Sequence, residues 1–452
     1  MLSPRLLLSQ CIPMFPLAHA FPLSITLAGR RIDSQVPETI HEIWKNPSDT
    51  LSILLIIGGD VVLKALAQLS GRRLVPVAFS FGWVAYSFNT LMSICGDGRL
   101  MPPADYSAKL FNADSGFERD NRSWVLGRLL RDFELPPLPP EVALCITVFK
   151  ASDSGSPAVP DRDLWWWGGV VTIIVQLCVS AIPFGVYGDW SIFLITVAGT
   201  ILALATGALP QWRREKWACR RNSKKVFFLT GGNGTRNVMV IFSDGKGLDL
   251  EDLAGAESPM VSRPGQGDPS PIFGFPRAFL ITQAACLFLL VLWIIFLITV
   301  TSLKQHAWFL LLVGGLGMLQ NAFAAGAHRA IGTSGVHLDR VEEFRRGKVM
   351  HALMDFQEAY PQLGKQLLDE FFPGDLRDDE EKWWDGNRKP YDDKRDPKSK
   401  PEDKPPQMVD EFRKRHANPK SQQPKPVNIV SAAPSTTAVP PMNTYPPQTS
   451  NV

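Results

Sequence analysis

Two ionisable residues stand where an apolar run makes them costly. Asp60 and Lys64 lie in LLIIGGDVVLKALAQL, residues 54–69. In a bilayer core, a carboxylate four residues before an ammonium can relay protons, bind a solute or brace a helix. On a helix the two share one face in the favourable order, acid first. Residues 51–69 hold eleven Leu, Ile or Val. Those are worth roughly −3 to −6 kcal/mol for insertion, against about +2.5 to +3.5 kcal/mol for each central charge. Unpaired, the segment is near neutral. Pairing lowers the cost, and Gly58 and Gly59 let a neighbouring helix approach to cover the pair. This predicts a marginal span with its charged face turned into a bundle. A structural pair ranks first, a transport or relay site second, and a non-spanning segment third.

Other residues offer less chemistry. Asp97 and Arg99 flank Gly98 in CGDGRLMPP, residues 95–103. A tight turn capping a helix is the simpler reading, a headgroup site the other. His328, His337 and His351 have no ligand spacing and no cysteine joins them, so no metal is expected. The six cysteines form no C-x-x-C pair. Cys219, in WACRR after an apolar run, has a setting that permits S-palmitoylation. Ser334 in GTSGV lacks the nucleophile-elbow pattern. GGNG, residues 231–234, lacks the G-K-[ST] ending of a phosphate loop. No catalytic set and no cofactor is implied.

The elements that must position these residues are mostly membrane spans. Six are expected, at 51–69, 75–95, 165–188, 190–210, 276–302 and 306–327, each about the length a helix needs to cross the bilayer. Trp165, Trp166, Trp167, Trp190, Trp212 and Trp308 mark their ends. Arg213, Arg214, Lys216, Arg220, Arg221, Lys224 and Lys225 follow the fourth run. This cluster suits anionic lipid headgroups and sets that end in the cytosol. Both termini then face the cytosol, at the plasma membrane or an endomembrane. Arg72 and Arg73, in the turn between the first two runs, contradict the bias. The sequons at Asn121 and Asn233 fall in cytosolic loops and should stay unmodified.

The expected divisions are an N-terminal segment 1–50 with a targeting region possible at 1–28, cytosolic loops 96–164 and 211–275, helices 328–374 and a disordered tail 375–452. RSWVLGRLLRDF, residues 122–133, reads as a basic amphipathic helix, on the membrane surface or packed against the loops. The runs 225–230 and 237–242 flank Gly-Asn-Gly and predict a hairpin, to which a strand at 141–149 adds. Val341, Phe344, Met350, Leu353 and Met354 suit a helix, and a second helix opens at Pro361. Residues 251–274 read as loose. The fold class is an α-helical polytopic membrane protein with a small cytosolic sheet.

GDGRLMP (96–102), RDNRSWVLGRLLRDFE (119–134), KVM (348–350) and FFPGDLR (371–377) resemble a family of multi-pass membrane proteins of filamentous fungi, over about residues 29–385. That family has no established activity. The resemblance implies a fungal membrane protein and transfers no catalytic or binding residue.

Two functions fit. The first is a non-enzymatic membrane scaffold or sensor that meets cytosolic protein partners, in part through its tail. The second is a small-solute or ion transporter using Asp60 and Lys64, supported by Gln176, Gln283, Gln320 and Asn321 within apolar runs. A membrane enzyme ranks third. The net charge of +3 gives no reason to expect nucleic acid.

Overall fold

The computed structural model describes residues 58–135, 137–260, 275–303 and 305–394. The readings of residues 1–57 and of the tail from 395 onward fall outside the described residues. In chain order the helices are α1 (Gly59–Leu69), α2 (Trp83–Cys95), α3 (Trp124–Glu134), α4 (Leu164–Tyr187), α5 (Ser191–Gly207), α6 (Pro210–Lys216) and α7 (Leu250–Gly255). They continue as α8 (Arg277–Thr301), α9 (Ala307–Gly326), α10 (Val349–Ala359), α11 (Leu363–Phe371), α12 (Asp378–Trp384) and α13 (Lys389–Asp392).

Four helical stretches are long and apolar enough to cross a membrane: α4, α5 with α6 (Ser191–Lys216), α8 and α9. Their outward faces carry exposed Ile174, Ile182, Leu194, Ile201, Phe288, Ile298 and Leu319, as lipid contact requires. The six-span expectation is corrected here. In the second run, residues 74–80 form neither helix nor strand and helix begins only at Trp83, leaving 13 residues in α2. That is about 20 Å at 1.5 Å per residue, short of a bilayer core. The described part of the first run is the 11-residue α1.

The soluble part is built on a six-stranded mixed sheet in the order β2 (Glu118–Asp120), β1 (Lys109–Asn112), β5 (Val226–Thr230), β6 (Asn237–Phe242), β3 (Leu144–Ala151) and β8 (Leu338–Arg346). β5 and β6 form the antiparallel hairpin around Gly-Asn-Gly, and β3 lies parallel to β6 with Cys145 opposite Asn237. Both faces are covered, so the central strands are apolar on both sides. Ile146, Val148, Phe228, Val238, Val240 and Phe242 pack with α10, α11 and Trp383. Phe149, Phe227, Leu229, Met239 and Ile241 pack with α3 and α7. A separate ribbon pairs β4 (Arg221–Ser223) with β7 (Gly247–Leu248).

Three local readings change. Val341 and Phe344 lie on the edge strand β8, not on a helix; α10 starts after Gly347, at Val349. The strand wins because β3 offers a full antiparallel partner from Leu144↔Arg346 to Ala151↔Leu338. The tail cannot start at 375, because α12 buries Trp383 in the core. The stretch taken as loose from 251 begins with α7, whose first amides are capped by Asp249.

Candidate functional site

The non-helical segment 74–82 runs inside the helical bundle. Arg72 Nε donates to the Pro160 carbonyl at 2.8 Å, and Trp166 Nε1 donates to the Leu74 carbonyl at 3.4 Å. These place its start beside the N-terminus of α4. Its far end reaches Gly58, where a Cβ on Gly82 would meet the Gly58 carbonyl oxygen at 2.4 Å. The chain then returns through α2. Residues 70–95 therefore form a re-entrant hairpin, entering and leaving on the side that carries the sheet. Arg72 and Arg73 sit on that side too.

Non-helical backbone at membrane depth is tolerated only where protein satisfies its polar groups. Asn321 on α9 does this for Ala78. Its Oδ1 accepts from the Ala78 amide at 3.2 Å, and its Nδ2 donates to the Ala78 carbonyl at 3.0 Å and to Ser80 Oγ at 3.1 Å. Gln176 on α4 donates to the Phe79 and Val313 carbonyls, both at 2.7 Å. Glycines make the room. A Cβ on Gly317 would lie 1.8 Å from the Phe79 carbonyl oxygen, and one on Gly169 would lie 2.0 Å from that of Pro76. Gly199 and Gly314 admit the rings of Phe79 and Phe81 in the same way.

A charged layer joins the bundle to the sheet. The buried Lys216 ammonium donates to the Ala67, Gln68 and Ser70 carbonyls at 2.7, 3.1 and 2.8 Å, closing the C-terminus of α1. Arg329 forks onto Asp163, the N-cap of α4, at 2.7 and 2.9 Å and reaches the Gln68 carbonyl at 2.7 Å. Arg128 on α3 forks onto Asp105 at 3.0 and 2.6 Å and donates to the Ala325 carbonyl at 3.1 Å. Arg131 reaches the Ala327 carbonyl at 2.8 Å. Cations thus cap the ends of α1 and α9, where the helix dipole favours them. Burial, then neighbouring Arg131, pulls the Arg128 guanidinium below its ordinary value against the opposing Asp105. The amphipathic helix at 122–133 is therefore a packed connector, with Val125, Leu126 and Leu129 on the sheet side.

The sequence candidates separate. Asp60 and Lys64 are exposed on the outward face of α1, while Val62, Ala65, Leu66 and Leu69 face the bundle. This corrects the inward-facing pair; among the described residues no ion pair joins the two. The face is set by packing: α1 lies against α9 through its apolar residues, which leaves the charges on the other side. Asp97 and Arg99 form a turn. The Asp97 carboxylate accepts from the Arg99 amide at 3.4 Å, with Gly98 at φ +76°. Glu215 fixes the turn by accepting from the Leu100 amide at 2.8 Å and the Met101 amide at 2.8 Å.

The basic cluster divides three ways. Lys216 is the buried cap. Arg220 pairs with Asp252 at 2.7 Å and Asp249 at 3.3 Å, and Lys225 pairs with Glu251 at 2.8 Å and Asp249 at 3.1 Å. Arg213, Arg214, Arg221 and Lys224 are exposed. The first three line a cleft of about 570 Å³ with Trp217, Cys219, Glu257 and Phe279. Burial opposes ionisation of Glu251 and Asp252, but Lys225 and Arg220 outweigh it and hold both carboxyls below their usual range. Burial pushes the Cys145 thiol up to about 11, so it is not a nucleophile at neutral pH. Among the described residues no His, Cys, Asp and Glu group could hold a metal ion.

These features define a class: a protein with four apolar helices fit to cross a membrane, a re-entrant hairpin within them and a mixed α/β domain clamped to one end. No family model, no curated protein and no solved structure matches the chain.

Proposed function

We propose that the protein is a non-enzymatic membrane scaffold or sensor that holds its sheet domain at a membrane surface for protein partners. The observation that carries this reading is the use of the intramembrane amides. Gln176 and Asn321 bond the backbone of the re-entrant segment, and the junction cations bond helix ends. These two amides, which could serve a solute pathway, instead brace the fold. The sheet side is assigned to the cytosol, because Arg72, Arg73, Arg213, Arg214, Arg277 and Arg329 all lie on it, whereas the short turn 188–190 carries only Asp189. Anionic lipid headgroups are the proposed occupants of the cleft at Arg213, Arg214 and Arg221.

One observation favours the transporter reading. α1 and α2 both begin near Gly58 and Gly82, so two half-helix N-termini meet within the bundle, beside an exposed Asp60. One paired experiment separates the two. The full chain and a chain ending at Lys394 are captured through an N-terminal tag from mild detergent, and the full chain is assayed for ion and solute flux in proteoliposomes. The scaffold reading expects a defined partner set, reduced by the truncation, and no flux. Flux that Asp60→Asn abolishes would refute it.

A further inference from the structure

We propose that the outward face of α1 is an interface between two copies of this chain, in which Asp60 of each copy meets Lys64 of the other. The position of these charges leads to this assignment. α1 runs parallel to α9: a Cβ on Gly58 would touch Met318, and Gln68 bonds the Ala327 carbonyl. Asp60 lies nine residues before the end of α1, about 14 Å along the axis, and so near the middle of a core about 30 Å thick. Lys64 lies about 8 Å from that end. Both are exposed, and neither finds an ionic partner among the described residues. A lysine at that depth extends its ammonium toward the headgroups, but an aspartate is too short to do so. Lipid therefore cannot cover Asp60, whereas an opposite charge can.

The spacing makes the face complementary to itself. Two copies related by a two-fold axis along the membrane normal keep the same orientation, and such an interface pairs residue i with j and j with i. Asp60 and Lys64 are offset by about 6 Å along the helix, four residues at 1.5 Å each. A lysine side chain spans that offset, so each carboxylate meets the ammonium across the interface. Four charges then close into one desolvated ring.

The test uses full-length chains with two different fluorophores, reconstituted together in phosphatidylcholine vesicles, with energy transfer read as a function of protein-to-lipid ratio. Wild type transfers energy. Asp60→Lys alone and Lys64→Asp alone each lose self-association, by about tenfold in apparent affinity. Mixing the two variants restores transfer, because every contact is again between unlike charges. The double swap, Asp60→Lys with Lys64→Asp, also associates. Each variant is taken forward only as a monodisperse peak in detergent, and the mixed pair reports even where one variant alone is weakly stable. A wild type that transfers no energy, single variants that associate like wild type, or a mixed pair that fails to recover would each overturn the interface. A covering by residues 1–57 of the same chain would give the first of these. Because energy transfer needs no flux and no cytosolic partner, the outcome is independent of the scaffold reading.

Discussion

Replacing Asn321 with Leu tests the central architectural claim, that the extended segment depends on side chains of the surrounding helices. Leu keeps the branching and the heavy-atom count of Asn, so the change removes the hydrogen bonds while its larger methyl groups add some crowding at this buried site. It removes three bonds, to the Ala78 amide, the Ala78 carbonyl and Ser80 Oγ. Trp83 Nε1 still donates to the Ala78 carbonyl at 3.0 Å, so that oxygen keeps one partner. The Ala78 amide keeps none. The two bonds to the Ala78 carbonyl and Ser80 at about 0.5–1.5 kcal/mol each, plus about 1–3 kcal/mol for the stranded Ala78 amide, total roughly 2–6 kcal/mol. Intramembrane bonds measured near 0.6 kcal/mol on average favour the lower half of that range. The control is the adjacent amide: Gln320 makes one long bond, 3.4 Å to the Trp165 carbonyl, and its loss to Leu should cost under about 1 kcal/mol. Thermal melting in detergent, followed by the monodisperse fraction on size exclusion, should rank wild type and Gln320→Leu together and Asn321→Leu several degrees below. Hydrogen exchange should show faster exchange at Ala78. If Asn321→Leu melts with Gln320→Leu and Ala78 stays protected, the backbone of the hairpin is not held as argued.

Lys216→Met leaves the Ala67, Gln68 and Ser70 carbonyls without their shared donor, and bonds to a charged group are worth about 1.5–3 kcal/mol each. Its melting temperature should fall further than that of Arg214→Met, whose side chain is exposed, and equal melting would exclude the capping role. Gly317→Ala should abolish monodisperse protein, because its methyl would sit 1.8 Å from a carbonyl oxygen. Gly326→Ala, with nothing within 4 Å, should behave as wild type. The acid response of the sheet domain should follow Glu251 and Asp252. Their folded carboxyls titrate below the unfolded value of about 4, so the stability they add is complete above that value and is lost as pH falls through the folded ones. Lys225→Gln should therefore lower stability at pH 7 and converge with wild type as pH falls through the folded carboxyls' lowered values, and a difference that stays constant through acid would contradict the assignment.

The membrane helices α4, α8 and α9 were legible because twenty apolar residues have one solution in lipid. The β5–β6 hairpin was legible because alternating apolar residues meet at a Gly-Asn-Gly turn. The second run was misread for a physical reason. VPVAFSFGWVAYSF is apolar almost throughout, and hydropathy cannot separate a helix in lipid from irregular chain enclosed by helices, since both demand apolar side chains. Pro76 and Gly82 were the available signals, both poor in a helix interior. The roles of Gly169, Gly199, Gly314 and Gly317 were not legible, because what they approach lies more than 80 residues away in the chain. Asp60 and Lys64 were expected to pair inward since insertion energy alone favours it. The stronger constraint was the apolar face of α1 against α9. Lys216 was indistinguishable from its neighbours Arg213 and Arg214 in sequence, and only the end of α1 marks it as a cap.

The hairpin also orders assembly in time. Residues 58–95 are made first, yet Gln176 and Asn321, which satisfy their backbone, arrive with α4 and α9, and Lys216 arrives between them. Until then the non-helical residues 74–80 have too few donors and acceptors for the bilayer interior, where each unsatisfied group costs several kcal/mol. The hairpin should therefore wait at the surface and enter only when α9 is present. A full-length chain and one ending at residue 303 can be compared by labelling a single cysteine at position 80 with a water-soluble maleimide, in a background without the native cysteines. The full chain should be protected and the shorter chain labelled. Equal protection would mean that the hairpin enters the membrane without α9, and that Asn321 follows its placement rather than securing it.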